Sequence, residues 1–239
     1  MESEVLLSKI KGKLIVSCQA LDNEPLAGLG MMGNMARAAK LGGAAAIRAN
    51  GGSDVNDIKT KTSLPVIGIV KKYYSDSEVF ITPTVKEIDE LIQAKADIIA
   101  LDATSRLRPG GISFDELIQY IREKSSALIM GDVSTVHEGI SAKELGVDLI
   151  STTLSGYTSY SPQITGPDFS LIQELVKYVG LPIIAEGRIR EPEEASKALQ
   201  MGAHAVVVGA AITRPHLITR RFADALENNF PIKSGNIKN

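Results

Sequence analysis

Ile183-Ile184-Ala185-Glu186-Gly187-Arg188 and Val206-Val207-Val208-Gly209-Ala210-Ala211 are two apolar runs that each end in a glycine. In a chain that alternates strands and helices, a glycine directly after a parallel strand lets backbone N–H groups approach an anion. The N-terminus of the next helix adds its positive dipole end. The two runs therefore predict a phosphate-binding site after the last two strands. Its expected residues are Gly187, Arg188, Gly209 and Ala210.

Six similar apolar runs precede this pair along the chain. Runs without polar alternation are typical of parallel strands buried on both faces, and the helical signals between them indicate right-handed β-α-β units. Eight such units in 239 residues predict an α/β fold, a (β/α)₈ TIM barrel of the phosphate-binding type, with residues 1–239 in a single domain. The predicted strands are 14–16, 44–48, 66–70, 98–101, 127–130, 149–150, 182–185 and 205–208.

Capping boxes and glycines mark the predicted helices. A Ser or Thr followed three residues later by Glu starts three of them, because each side chain satisfies a free backbone N–H group near the other. Gly43, Gly146 and Gly202 suit the left-handed residue that ends a helix, and Pro192 suits a first turn. The capping pairs are Thr84 with Glu87, Ser113 with Glu116 and Thr135 with Glu138.

Three segments lie outside the repeating units. Residues 2–11 predict an additional helix that caps the N-terminal end of the barrel. Residues 231–239 are polar and are expected to fray. The longest connection, residues 154–167, is rich in Gly, Ser, Tyr and Pro. A loop of this length is either a lid or binding loop, or a plain surface connection.

Composition favours a small-molecule partner. The 26 basic and 28 acidic residues nearly cancel, whereas proteins that bind nucleic acids or membrane surfaces usually carry a clustered basic excess. The single cysteine, Cys18, excludes an intrachain disulfide and a cysteine-rich metal site, and it fits the reducing cytoplasm. The N-terminus lacks signal-peptide regions, and no apolar run reaches the roughly 18 residues that a membrane helix needs. We expect no nucleic-acid, membrane or metal partner.

Polar residues at the C-terminal ends of the predicted strands are the catalytic candidates, because these ends surround the active site of a TIM barrel. Lys71 ends the third strand and would be partly desolvated, which lowers its pKa and suits a proton carrier or a Schiff-base nucleophile. Side chains alternate along a strand, so only one of Lys71 and Lys72 points inward, and Lys71 is preferred. Glu186 is the second candidate, unless it only pairs with Arg188 or Lys71.

Further strand ends carry polar residues with two interpretations each. Gln19 and Arg48 could bind a sugar or bridge neighbouring strands. Asp132 is expected to face the pocket, whereas Asp102 could equally well brace the rim. Thr153, at the end of the sixth strand, completes the predicted substrate-binding set.

Six stretches of the chain together resemble the N-acetylmannosamine-6-phosphate 2-epimerases of bacterial sialic acid catabolism. The resemblance extends over nearly the whole chain. Any one stretch alone would indicate only a phosphate-binding barrel, whereas the combination is specific. The stretches are Leu14-Ile15-Val16-Ser17-Cys18-Gln19-Ala20-Leu21, Gly42-Gly43-Ala44-Ala45-Ala46-Ile47-Arg48-Ala49, Ile99-Ala100-Leu101-Asp102-Ala103-Thr104, Ser151-Thr152-Thr153-Leu154-Ser155-Gly156-Tyr157-Thr158, Ala185-Glu186-Gly187-Arg188 and Gly209-Ala210-Ala211-Ile212-Thr213-Arg214-Pro215.

The resemblance implies an isomerase that interconverts N-acetyl-D-mannosamine 6-phosphate and N-acetyl-D-glucosamine 6-phosphate, with Lys71 and Glu186 at the positions of the catalytic pair. Inversion at C2 requires the ring to open, so that C1 becomes a carbonyl that takes up charge when the C2 proton leaves. No metal or nicotinamide cofactor is then required. We hypothesise that neutral Lys71 removes this proton and that Glu186 assists ring opening or proton exchange on oxygen. Arg48, Gln19 and Asp132 would orient the sugar and its acetamide.

Two other functions are alternatives to the epimerase. In an aldolase-type lyase, Lys71 would form a Schiff base with a sugar phosphate. A non-catalytic sugar-phosphate sensor could use the same barrel, although binding alone needs neither Lys71 nor Glu186. Barrels of this kind often pair through their outer helices, so a homodimer is expected.

Overall fold

The computed structural model describes residues 2–20, 23–28 and 30–229. The polar segment 231–239, which was expected to fray, lies outside these residues. Within the described ranges, no helix is both long enough and apolar enough to cross a membrane.

Eight parallel strands form a closed barrel, which confirms the predicted fold class. Every predicted apolar run is a strand. Several strands continue one or two residues past the apolar run to a polar residue, because the ladder of barrel hydrogen bonds includes these ends. For example, Asp102 pairs with Asp132, and Glu186 pairs with Val207. The strands are β1 (Leu14–Cys18), β2 (Ala46–Asn50), β3 (Val66–Ile69), β4 (Ile98–Asp102), β5 (Leu128–Asp132), β6 (Leu149–Ser151), β7 (Ile183–Glu186) and β8 (Ala205–Val208).

Helices alternate with the strands, and their starts follow the predicted capping signals. All three predicted capping boxes form, and Gly43, Gly146 and Gly202 have the expected positive φ. A fourth capping box, Glu191 with Glu194, was not predicted because its cap residue is a glutamate. The helices are α1 (Glu2–Ile10), α2 (Met31–Leu41), α3 (Gly52–Thr62), α4 (Val85–Gln93), α5 (Phe114–Lys124), α6 (Val136–Glu144), α7 (Phe169–Tyr178), α8 (Pro192–Gln200), α9 (Ala210–Thr213) and α10 (Pro215–Asn229).

The barrel interior is apolar at the N-terminal ends of the strands. Leu128 and Leu149, each the first residue of its strand, are buried in this interior cluster together with Ile10 of α1. Leu6 and Leu7 of the same helix pack against the cluster. Helix α1 therefore lies against this end of the barrel, over the segment where an additional helix was predicted. A second apolar layer fills the space between the strands and the outer helices.

The chain after β3 folds back on itself and fixes the backbone of Lys71. Lys71 forms an antiparallel bridge with Ile81, and Thr82 N donates to Val70 O at 2.8 Å. The backbone N–H of Lys71 donates to Asn50 Oδ1 at 2.7 Å. The backbone around Lys71 is thus held by two neighbouring segments, residues 81–82 and the end of β2.

Candidate active site

A cavity of about 450 Å³ opens at the C-terminal end of the barrel. Most of the predicted site residues line it, although they come from strands far apart in the sequence. Asp132 does not line the cavity and lies directly behind Arg48. The predicted residues in the wall are Gln19, Arg48, Lys71, Thr153, Glu186, Gly187, Arg188, Gly209 and Ala210.

Arg48 is the centre of a buried ion-pair network. Its side chain is fully buried, and its two terminal nitrogens donate to the two oxygens of Asp132 at 2.5 and 3.1 Å. Arg48 Nη1 also donates to Glu186 Oε2 at 2.7 Å. The hydroxyl oxygen of Thr153 lies 2.9 Å from Asp132 Oδ1 and 3.1 Å from Glu186 Oε2. Glu186 therefore has Arg48 as its ion-pair partner. The sequence had indicated Arg188 or Lys71 as the partner if Glu186 had only a structural role.

Two carboxylates share one guanidinium in this network. Burial alone lowers the pKa of Arg48, but Asp132 and Glu186 outweigh it and raise the pKa, so Arg48 stays charged. Burial raises the pKa of Glu186, and Asp132 adds to this effect while Arg48 opposes it. The pKa of Glu186 is raised because the loss of hydration and the charge of Asp132 outweigh the attraction of Arg48. Glu186 is therefore suited to hold and release a proton nearer to neutral pH than an exposed glutamate.

Lys71 faces the same cavity, whereas Lys72 is exposed on the rim. This arrangement agrees with the strand-alternation argument. Burial lowers the pKa of Lys71, and the positive charge of Arg48 lowers it further, against the opposing effect of Glu186. A larger fraction of Lys71 is consequently neutral near physiological pH than for an exposed lysine.

The turn after β7 and the start of α9 form the other side of the cavity. Gly187 has φ +112°, a backbone conformation that favours glycine. Gly209 precedes α9, and a Cβ built on it would lie 3.4 Å from Ser17 Cβ, so the chain passes close to β1 there. The first N–H groups of a helix have no acceptor within that helix. Backbone donors of this kind at Ala210 suit a ligand anion.

Arg188 binds the loop 154–167 rather than a carboxylate. Its Nε donates to Gly166 O at 2.8 Å, and its Nη1 donates to Ser155 O at 2.5 Å. The guanidinium also lies 5.8 Å from the centre of the Tyr157 ring. Arg188 has φ +55°, an unfavourable conformation for a residue with a side chain, and these contacts maintain it. The loop is therefore an ordered wall of the cavity.

The remaining candidates have structural partners. Gln19 Nε2 donates to Ser17 Oγ at 2.8 Å. Asp102 braces the rim, because it accepts from Thr104 N and Arg106 Nη2 at 2.9 and 2.6 Å. Burial raises the pKa of the Cys18 thiol to about 12, so it stays protonated. Across the described ranges, no group of three His, Cys, Asp or Glu side chains is placed to hold a metal ion.

Several residues of the cavity wall were missed by sequence reasoning. Tyr73 and Phe80 stack on each other with ring centres 5.5 Å apart, and Tyr157 stands in the wall nearby. Arg190 and Arg214 add two cations to the lining. The one feature of the sequence that could have indicated the aromatic residues is that they follow the C-terminal ends of predicted strands. Their stacking depends on how the chain turns back after β3.

Comparison with known proteins gives one consistent result. A family model described as "Putative N-acetylmannosamine-6-phosphate epimerase" matches residues 32–228. A protein of Clostridium perfringens that bears this description, as a 2-epimerase, is 57% identical over 222 residues, which cover 93% of this chain and 100% of the relative. A Caldanaerobacter subterraneus subsp. tengcongensis protein with the same description is 57% identical over 218 residues, covering 91% and 92%. The solved structure of the N-acetylmannosamine-6-phosphate 2-epimerase from C. perfringens has a TM-score of 0.90 at 56% identity, covering 92% of this chain and 96% of that one.

Proposed function

We propose how this chain, which belongs to the N-acetylmannosamine-6-phosphate epimerase family, uses its cavity for catalysis. The chain is an isomerase that interconverts N-acetyl-D-mannosamine 6-phosphate and N-acetyl-D-glucosamine 6-phosphate. These two sugars differ only in the configuration at C2. The comparisons favour this reaction over a lyase or a sensor. The observation that carries the mechanism is the presence of Lys71 and Glu186 in one cavity with pKa values moved in opposite directions.

Lys71 is proposed as the base that removes the C2 proton. In the open-chain sugar, C1 is an aldehyde, and the electron pair of the broken C2–H bond moves onto it as an enolate. The neutral amine of Lys71 accepts the proton and becomes an ammonium ion, which stabilises the new negative charge. Return of a proton to the opposite face of C2 gives the epimer. The lowered pKa of Lys71 supports this role because only the neutral amine can accept the proton.

Glu186 is proposed to exchange protons with the sugar oxygens. Ring opening moves a proton from the C1 hydroxyl to the ring oxygen, and a carboxyl group with a raised pKa can accept one proton and donate another. Arg48 and Thr153, which line the same wall, fix the position of Glu186. We therefore propose that Asp132, which contacts Arg48 but not the cavity, acts as a positioning residue, while Gln19 and Thr153 meet the sugar.

The phosphate is proposed to bind between the turn after β7 and the start of α9. Backbone donors near Gly187, Gly209 and Ala210 would meet its oxygens, and Arg188 would contribute positive charge in addition to holding the loop. Contacts at this remote group give binding energy that fixes the reacting carbon against Lys71.

Incubation with N-acetylmannosamine 6-phosphate in deuterated water tests this mechanism. We expect N-acetylglucosamine 6-phosphate with deuterium at C2, because the Lys71 amine exchanges its protons with solvent. Proton NMR of C2 and mass spectrometry measure the incorporation. Formation of the epimer with hydrogen retained at C2 would rule out Lys71 as a solvent-exchanging base, and absence of the epimer would refute the function.

We also propose a homodimer that forms through α10. Every described side chain from Thr219 to Glu227 is exposed, and the ion pair of Arg221 with Glu191 buries little surface. A helix of this length with so little packing is marginally stable in water. Phe222 and Leu226 lie one turn apart on one face and are 71% and 65% exposed. A second copy of the chain would cover this apolar face. Light scattering should show a dimer for the natural chain and a monomer for Phe222→Glu, and a monomeric natural chain would contradict the proposal.

We also propose that the protein is located in the cytoplasm. The single cysteine, Cys18, is a free thiol. Free thiols persist in reducing compartments. A fractionation experiment that finds the protein outside the cytoplasm would overturn it.

A further inference from the structure

A second cavity, of about 520 Å³, lies on the side of the barrel beside α6. The loop after β4, the first residue of α5, and Tyr160 of the loop 154–167 complete its walls. None of the residues that line it also lines the active-site cavity. It is therefore a separate pocket, and the mechanism above gives it no role.

Arg108 is a buried cation in the wall of this side cavity. Its side chain is only 7% exposed, and it lies 4.8 Å from the centre of the Phe114 ring. Its Nη2 donates to backbone carbonyls, at 2.5 Å to Asp102 O and at 3.5 Å to Thr104 O. In the described part of the chain, no carboxylate lies within ion-pair distance of Arg108. The Asp102 carboxylate is bound by Thr104 and Arg106 and attracts Arg108 only from a greater distance.

A buried guanidinium without a carboxylate partner is costly, because the loss of hydration is not offset by an opposite charge. Burial lowers the pKa of Arg108 and the charge of Arg106 lowers it further, against the opposing effect of Asp102. An anion entering the side cavity would supply the missing partner.

Glu138 and His137 are the other ionisable groups to consider in the wall. Glu138 lines the cavity, but its Oε2 accepts from Ser134 and Thr135, and its Oε1 accepts from Tyr160 OH at 2.6 Å. These neutral donors solvate the carboxylate and hold it in place, so Glu138 is not free to pair with Arg108. His137, the remaining ionisable residue, is exposed. A single buried arginine matches a monoanion better than a phosphate dianion.

The geometry points to a binding site for a small organic carboxylate. We propose that its carboxylate binds Arg108, whose planar nitrogens match two oxygens, while its apolar body packs on Phe114, Ala142 and Leu145. Thr104 and Ser141 also line this cavity.

Binding of benzoate to the full chain, measured by calorimetry, tests the site, with benzamide as its uncharged counterpart. We expect benzoate to bind and benzamide not to bind. Arg108→Gln should weaken benzoate at least about tenfold, the effect of losing one charged contact. Lys143→Gln removes an exposed cation from α6 outside the cavity and should change the affinity less than about twofold.

Ser141→Phe provides a second variant that keeps Arg108 in place. Ser141 is exposed at the cavity wall, so a phenyl ring there should fill the cavity without disturbing the core. We expect this variant to lose benzoate binding and to keep epimerase activity. Saturating N-acetylmannosamine 6-phosphate should not displace benzoate. The proposal is refuted if benzoate fails to bind, if benzamide binds equally, if the sugar phosphate displaces benzoate, or if Arg108→Gln or Ser141→Phe binds as tightly as the natural chain.

Discussion

The two ends of the barrel are built from the same eight strands but hold opposite kinds of side chain. At the N-terminal end the interior is apolar, and α1 covers it with Ile10, which is completely buried. At the C-terminal end β5 and β7 finish in the acidic residues Asp132 and Glu186, and Arg48 of β2 pairs with both. Arg48 and Asp132 are buried, and Glu186 is largely buried. The N-terminal end gains stability from removing apolar surface from water. The C-terminal end places charges where hydration is lost, which costs stability and creates the shifted pKa values that the chemistry uses.

The largest expected effect tests the C-terminal end at Lys71. Lys71→Ala should lower kcat/KM about 1,000-fold, because loss of a general base typically costs a factor of this order. Steady-state kinetics with N-acetylmannosamine 6-phosphate measures the change. Lys72→Ala is the matched control, since this neighbour is exposed, and it should change kcat/KM less than about twofold. A Lys71→Ala enzyme that retains activity would show that the base lies elsewhere.

Two ion pairs, one at each end of the barrel, should contribute differently to the free energy of unfolding. Asp132→Asn leaves Arg48 with one buried carboxylate and should lower the free energy of unfolding by about 3 kcal/mol. Asp148, which precedes β6 at the N-terminal end, forms a partly exposed ion pair with Arg122. Asp148→Asn keeps an oxygen acceptor and should cost no more than about 1 kcal/mol. Urea unfolding of both variants measures the difference, and equal costs would contradict the assigned contrast.

Asp132→Asn should also show whether Asp132 acts by positioning Arg48 and Glu186 or by direct contact with the sugar. Without the Asp132 charge, one influence that raises the pKa of Glu186 is lost, so that pKa should fall. We expect kcat to decrease and the part of its pH profile that depends on Glu186 to move to lower pH, with KM changed less than kcat. A change confined to KM would instead indicate that Asp132 contacts the sugar.

Ile10→Ala tests the N-terminal end alone. The substitution leaves a cavity at a fully buried site and should lower the free energy of unfolding by about 3 kcal/mol. Because Ile10 lies at the end of the barrel away from the catalytic cavity, kcat and KM should stay unchanged at a temperature where the variant is folded. Val5→Ala, on the same helix but 53% exposed, is the control and should cost less than about 0.5 kcal/mol. A marked loss of kcat in Ile10→Ala would mean that the two ends are mechanically coupled.

The contrast between the ends also explains what the sequence could predict. Strands buried on both faces are continuous apolar runs, so all eight were found, and Lys71 and Glu186 stood out as polar residues at their ends. The partner of Glu186 was missed because Arg48 lies 138 residues away, and no local pattern encodes which strands bring charges together. Asp132 was expected to face the cavity, whereas Arg48 and Thr153 stand between it and the open space.

The smallest expected effect concerns the stability that the C-terminal end gives up for function. The pKa of Lys71 is lowered on folding, so the unfolded chain holds this proton more tightly than the folded chain. The resulting destabilisation is complete below the folded-state pKa and disappears above the unfolded value of about 10.4. Stability should therefore rise with pH across this window. Lys71→Met should be more stable than the natural chain by about 1 kcal/mol at neutral pH, with a flatter alkaline profile, while it loses activity. Thermal unfolding at several pH values measures both profiles, and a destabilised Lys71→Met would show that the lysine is held by favourable interactions instead.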